Sequence, residues 1–212
     1  MTVALTPNLL AGWLSARSIA RGVPAPVEDG DGWRVDTASA AERCRYVFLD
    51  ADDGFRALAD AIDTPRVFLK ACAPPTDVLT IVPPRWTLQS VAWMMLQVPQ
   101  ATDPAARLPN GYRLDLTTQD EVLCAVVLDA AGNPAASGYS ASAGGVFCYD
   151  RIVTQPDHYR RGLGRAIMVA LGQHQPAGTQ RVLAATDAGR ALYATLGWQV
   201  VAPYTTIEIA QP

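Results

Sequence analysis

The chain has 212 residues, half of them hydrophobic, and a formal net charge of −3. A chain of that length buries a substantial core without disulfides or metals, and that hydrophobic fraction is too high for a disordered polymer. The acidic balance excludes a partner held by a broad basic field, so nucleic acid is not expected.

Pro7–Arg21 reads as an amphipathic helix, with Leu9, Leu10, Trp13, Leu14 and Ile19 near helical spacing. Thr6 is its N-cap and Pro7 its first helical residue. Short strands follow at Gly30–Asp36 and Arg45–Leu49, then a helix over Asp52–Ile62 and a strand over Arg66–Cys72. The apolar stretch Leu88–Val98 reads as a further helix. The chain divides near Pro99–Pro109, a proline- and alanine-rich segment without periodicity. Residues 1–100 are therefore expected to form an N-terminal α/β subdomain, and 110–212 a second domain.

The second half is richer in strand signals. Tyr112–Leu116, Val122–Leu128, Ala136–Ala141 and Val146–Thr154 read as strands, with turns at Asp129–Pro134 and Gly144-Gly145. A loop through Pro156, a helix over Gly164–Gly172 and a strand at Arg181–Ala185 come next. Thr186 caps another helix reaching Leu196, and strands at Gln199–Val201 and Tyr204–Ile209 close the chain. The fold class is α/β (α+β), a mixed sheet with helices packed on it.

Cys44, Cys72, Cys124 and Cys148 are scattered, each in an apolar run, and read as buried small hydrophobes. With no CxxC pair and only His158 and His174, no metal site is expected. Met1–Leu10 lacks the basic start and long apolar run of a signal peptide, and no segment has transmembrane length. The expectation is a cytoplasmic protein with no membrane partner.

The segment that carries chemistry is Ile152–Met168, IVTQPDHYRRGLGRAIM. Gly162 and Gly164 permit a tight turn and close approach of a ligand. The unpaired N–H groups of the helix start converge on one spot where the helix dipole favours negative charge. Arg160, Arg161 and Arg165 can add charge-assisted bonds to phosphate oxygens, which makes a pyrophosphate cradle. The chain has no GxxxxGK[ST], so a P-loop hydrolase is excluded. A Rossmann reading draws on Asp187 but fails at Ile167, where its third glycine belongs, and on the long loop between strand and glycines.

This segment resembles motif A of the GCN5-related N-acetyltransferases (GNAT), [Q/R]-x-x-G-x-[G/A] after a strand and a proline. Gly162 and Gly164 take the two small positions, and Tyr159 departs from the usual Arg or Gln. ALYATLGW, Ala191–Trp198, is similar to the family's LYxKLGF helix end, and the resemblance covers about residues 110–210. It implies a mostly antiparallel sheet whose two splayed parallel strands, here Val146–Thr154 and Arg181–Ala185, hold the pantetheine of acetyl-CoA. Backbone groups of Ile152, Val153 and Thr154 would bind the pantetheine amide and thioester. The N–H groups of Arg161, Gly162, Leu163, Gly164 and Arg165 would hold the pyrophosphate, with Arg160 a further cofactor-binding residue beside them. Thr186 stands where many members carry a cofactor-touching asparagine, although a helix cap is the simpler role.

The implied reaction is direct attack by a primary amine of a small molecule or peptide on the thioester, with Tyr193 as the acid that protonates the leaving thiolate. Asp150 is a candidate base, with Glu121, Asp115, His158 or water as alternatives. The alternative function is a non-catalytic acyl-CoA-binding module. A homodimer is compatible with either. The acidic balance favours a cationic acceptor such as a polyamine, aminoglycoside or lysine side chain. The family inserts two helices between its first two strands, and here only Thr117–Asp120 intervenes. The N-terminal half is thus expected to cover the acceptor site, through Pro7–Arg21 or Leu88–Val98.

Overall fold

The structure, a computed structural model, describes residues 4–98 and 107–209. Most of the expected linker, Pro99–Ala106, therefore lies outside the described residues.

The first helix, α1 (Pro7–Arg21), has the expected bounds. Thr6 Oγ1 accepts from the Leu9 amide, and Gly22 ends the helix in the left-handed region that a residue without Cβ enters at low cost. A hairpin of β1 (Val27–Asp29) and β2 (Gly32–Asp36) leads to β3 (Cys44–Phe48), α2 (Asp53–Ala61), β4 (Val67–Ala71) and a short α3 (Pro75–Ile81). β1 and α3 are additional to the elements expected from the sequence. Next comes β5 (Trp86–Gln97), then the antiparallel run β6 (Arg113–Gln119), β7 (Val122–Leu128), β8 (Pro134–Ala143) and β9 (Val146–Thr154). A 3-10 turn over Pro156–His158, α4 (Leu163–Gly172), β10 (Gln180–Ala185), α5 (Asp187–Ala194) and β11 (Trp198–Ile209) complete the described chain.

Leu88–Val98 is a strand, not a helix. β5 pairs antiparallel with β10 on one side and with β11 on the other. Met95 points into the core under α4 while Met94 and Leu96 point into the core under α1. Where a strand is buried on both faces, as at Met94, Met95 and Leu96, alternation is lost, and an apolar run does not distinguish it from a buried helix. The two expected C-terminal strands are one, β11, interrupted by a register shift between Val200 and Ala202.

The eleven strands form one sheet in the order β1-β2-β3-β4-β11-β5-β10-β9-β8-β7-β6. β5, from the N-terminal half, thus lies between β10 and β11 of the C-terminal half. The β6–β7 connection is a two-residue turn with Asp120 and Glu121 both at positive φ, as a right-twisted hairpin demands. No helix interrupts it.

Alternate residues of β9 and β10 mark the two faces. Phe147, Tyr149, Leu183 and Ala185 pack with Leu163, Ile167 and Leu171 of α4 and Tyr193 of α5. Val146, Cys148 and Val182 pack instead with Leu10, Trp13 and Leu14 of α1. So α4 and α5 cover one face and α1 the other. The helix α1 sits close: a Cβ on Gly12 would come 2.6 Å from the Gly144 carbonyl oxygen at the β8–β9 turn.

All four cysteines are free thiols, three of them buried. Among the described residues, no group of three or more His, Cys, Asp and Glu could hold a metal ion. None of the described helices is long and apolar enough to cross a membrane.

Candidate active site

β9 and β10 run parallel but pair only at Val146–Gln180, Phe147–Arg181 and Cys148–Val182. Beyond those pairs β9 continues to Thr154 and β10 to Ala185, and the two strands part. β9 also bulges. Its Asp150 pairs with Tyr139 and its Val153 with Ser137, so Arg151 and Ile152 face Gly138 alone, and Arg151 takes φ 51°. Such a bulge frees backbone groups from the ladder and re-aims side chains.

The gap between the strands opens into a cavity of about 340 Å³. Tyr149, Asp150, Ile152 and Val153 line it from β9, and Leu183 and Ala184 from β10. Thr186 and Tyr193 close one side. Thr186 Oγ1 also accepts from the Gly189 amide, so its capping role is realised. Tyr193 is buried, and burial pushes its hydroxyl up to about 12. It therefore carries its proton at neutral pH, as an acid must.

Past the end of β9, the glycine loop enters α4. Gly162 is the N-cap at φ 77°, without a side-chain cap bond, and Arg160 is also left-handed at φ 60°. The first-turn N–H groups have no partner within the helix. A Cβ on Gly162 would meet nothing within 4 Å, whereas one on Gly164 would lie 3.1 Å from Leu192 Cδ2 and 3.6 Å from Thr154 Oγ1. Arg160, Arg161 and Arg165 are exposed. Arg161 Nη1 donates to the Tyr112 hydroxyl at 3.0 Å, and that hydroxyl also bonds His158 Nδ1 at 2.8 Å. The loop arginines are thus around the helix start, one of them anchored.

Asp150 lies in the cavity wall among arginines. Arg21 Nε and Nη2 donate to its two oxygens at 2.8 and 2.9 Å, Arg151 Nε lies 3.1 Å away and Arg17 Nε 3.4 Å. Burial alone would raise the carboxyl, but the Arg21 hydrogen bond and the charges of Arg17, Arg21 and Arg151 outweigh it and hold Asp150 below its ordinary value. A carboxylate so held is a weak proton acceptor. Glu121 lies in the β6–β7 turn, Asp115 pairs with Arg113, and His158 bonds Tyr112. None of these three is among the residues that line the cavity.

The opposite wall comes mostly from the N-terminal half, completed by β11. Arg17 and Arg21 project from the last turns of α1, Lys70 from β4 and Ser90 from β5, and Tyr204 and Thr206 come from β11. The sequence marks Pro7–Arg21 and Leu88–Val98 as candidates to cover the acceptor site but singles out none of these side chains. The available signal was the i, i+4 spacing of Arg17 and Arg21, which sets both on one helix face.

By sequence, no protein-family model and no curated protein matches the chain. By structure, a GCN5-related N-acetyltransferase from Kribbella flavida superposes with a TM-score of 0.67 at 17% identity, covering 100% of this chain and 98% of its own. A GNAT-family protein from Novosphingobium aromaticivorans gives 0.57 at 16% identity, covering 95% and 99%. The chain has the GNAT fold. A tandem GNAT protein from the clavulanic acid biosynthesis pathway also matches, with a TM-score of 0.57 at 14% identity over 86% of this chain and 80% of its own. The GNAT resemblance read from two motifs in the C-terminal half thus extends, as a fold, over nearly the whole chain, and the N-terminal residues belong to it.

Proposed function

We propose that this protein binds acetyl-CoA in the gap between β9 and β10 and transfers its acetyl group to a primary amine. The observation that carries the reading is the parting of the parallel pair beyond Cys148 and Val182, which opens a cavity beside Tyr193. The fold neighbours named as acetyltransferases support it.

In this reading the pantetheine lies along Ile152–Thr154, where the bulge releases backbone groups from the β8 ladder. The pyrophosphate lies at the α4 N-terminus, on N–H groups from Gly162 to Arg165 and beside Arg160 and Arg161. Tyr193 donates the proton that the departing thiolate takes. Asp150 is an anchor for arginines in this scheme, not the base, because its proton affinity is lowered. The amine loses its proton to water in the cavity. Residues 4–98 form the acceptor side, through α1 and β4, with β5 as a strand of the shared sheet.

Calorimetric titration with acetyl-CoA, with NADH as control, tests the reading. Saturable binding of acetyl-CoA alone, followed by thiol release with a panel of amines, is expected. Absence of acetyl-CoA binding would overturn it.

A further inference from the structure

The cavity's acceptor-side wall carries a charge opposite to the one that the whole-chain balance suggested. The charged residues of the whole cavity are Arg17, Arg21, Lys70 and Arg151 against a single carboxylate, Asp150. Asp150 is already engaged by three of the four cations. Lys70 Nζ contacts no carboxylate among the described residues; it donates to Thr206 Oγ1 at 3.0 Å and lies 5.7 Å from the Tyr204 ring centre. The Tyr204 hydroxyl, in the same wall and buried, has no hydrogen-bond partner among the described residues.

Positive charge gathered in a partly enclosed space raises its own energy unless an anion compensates it. Lys70 registers that potential. Burial, then the charges of Arg17, Arg45 and Arg21, bring its ammonium down to about 7, and Glu42, itself paired with Arg45, offsets this only in part. The cluster gathers on α1 and β4, on the sheet face opposite α4, so it is distinct from the pyrophosphate cradle.

We propose that the acceptor amine carries an anionic group, a carboxylate or a phosphate, which docks between Arg17, Arg21 and Lys70. This rests on the acetyltransferase reading for the word acceptor; the anion site itself stands on the cluster. It replaces the cationic acceptor expected from overall charge, because a ligand responds to the field of its own cleft rather than to the net charge of the chain.

Matched probes that differ only in charge separate the outcomes. The full chain is titrated with N-acetylglycine and its neutral counterpart N-acetylglycinamide, then with N-acetyl-O-phosphoethanolamine and N-acetylethanolamine. The expected result is that at least one anion binds about tenfold more tightly than its neutral partner. The preferred pair identifies carboxylate or phosphate. Binding should strengthen as pH falls through about 7, where Lys70 gains its proton. Above that pH, binding should take up a proton, read as a dependence of the heat on the buffer's ionisation enthalpy. Lys70→Met should remove the proton uptake, and Arg21→Gln should weaken the anion without removing it. Equal affinity for charged and neutral probes, or binding of neither, would overturn the proposal. Competition between the anion and coenzyme A, which lacks the acetyl group that the probes duplicate, would also overturn it, since the cluster would then hold the cofactor's own phosphates. Acetyl-CoA titration without probes reports on the acetyltransferase reading separately.

Discussion

The Arg21 guanidinium grips both carboxylate oxygens of Asp150, at 2.8 and 2.9 Å, across 129 residues of sequence. This fork ties the end of α1 to β9 at the point where β9 leaves β10. It fixes one wall of the cavity against the other, and it decides what Asp150 can do.

Asp150→Asn removes the only carboxylate among the cavity's lining residues and leaves Arg17, Arg21 and Arg151 without their counter-charge. Breaking a buried pair is costly, but Arg21 and Arg151 are partly solvated, so the expected loss is about 2 kcal/mol. Urea denaturation reads it. The folded variant should retain turnover; complete loss of turnover with unchanged stability would restore Asp150 as the base.

The same carboxylate sets an acid limit. Its folded value is depressed, so its contribution is fully present above the unfolded value and is lost as pH falls through the folded one. Wild-type stability should therefore drop below about pH 4 more than that of Asp150→Asn. Parallel acid-denaturation curves for the two proteins would contradict the ion-pair assignment.

Lys70 works in the opposite sense. Its folded value of about 7 lies below its unfolded value, so the unfolded chain binds more protons between the two. Stability from this group rises with pH across that interval and is complete only above the unfolded value. Lys70→Met should accordingly stabilise the ligand-free protein at pH 7, and the gain should shrink by pH 10. Thermal denaturation at both pH values checks this.

Tyr193→Phe should lower turnover about 10²-fold, while acetyl-CoA affinity and melting temperature stay near wild type. Product-inhibition and direct titration distinguish this from a packing defect, which would reduce stability as well.

Gly12→Ala gains helix propensity of about 1 kcal/mol but brings a Cβ within 2.6 Å of the Gly144 carbonyl and 2.8 Å of Val146 Cγ2. The backbone neighbour cannot yield cheaply, so a net loss of about 1–2 kcal/mol is expected. Because α1 must retreat, the anion affinity at Arg17 and Arg21 should fall with it. Gly164→Trp would collide with Leu192 and Thr154, so its loss of acetyl-CoA affinity should come with lowered stability.

The features legible from residue order alone are local. Thr6, Pro7 and Gly22 mark α1 at both ends because caps and turn conformations act within a few residues. Gly162 and Gly164 signalled the loop into α4 for the same reason, and so did Gly144-Gly145 at the β8–β9 turn. The motifs around them gave the GNAT resemblance and the cleft residues Ile152, Val153, Thr186 and Tyr193.

The remaining features depend on long-range packing. LQSVAWMML is a strand because β11 pairs along it, β10 pairs along its second half, and Met94, Met95 and Leu96 are buried between the layers, a fact of partners that no window of sequence contains. Asp150 became an anchor because α1 carries two arginines to it. Lys70 became titratable near neutrality because burial and distant cations surround it. Charge state and cleft polarity depend on what the fold brings within a few ångströms, and here the groups that set them come from opposite ends of the chain.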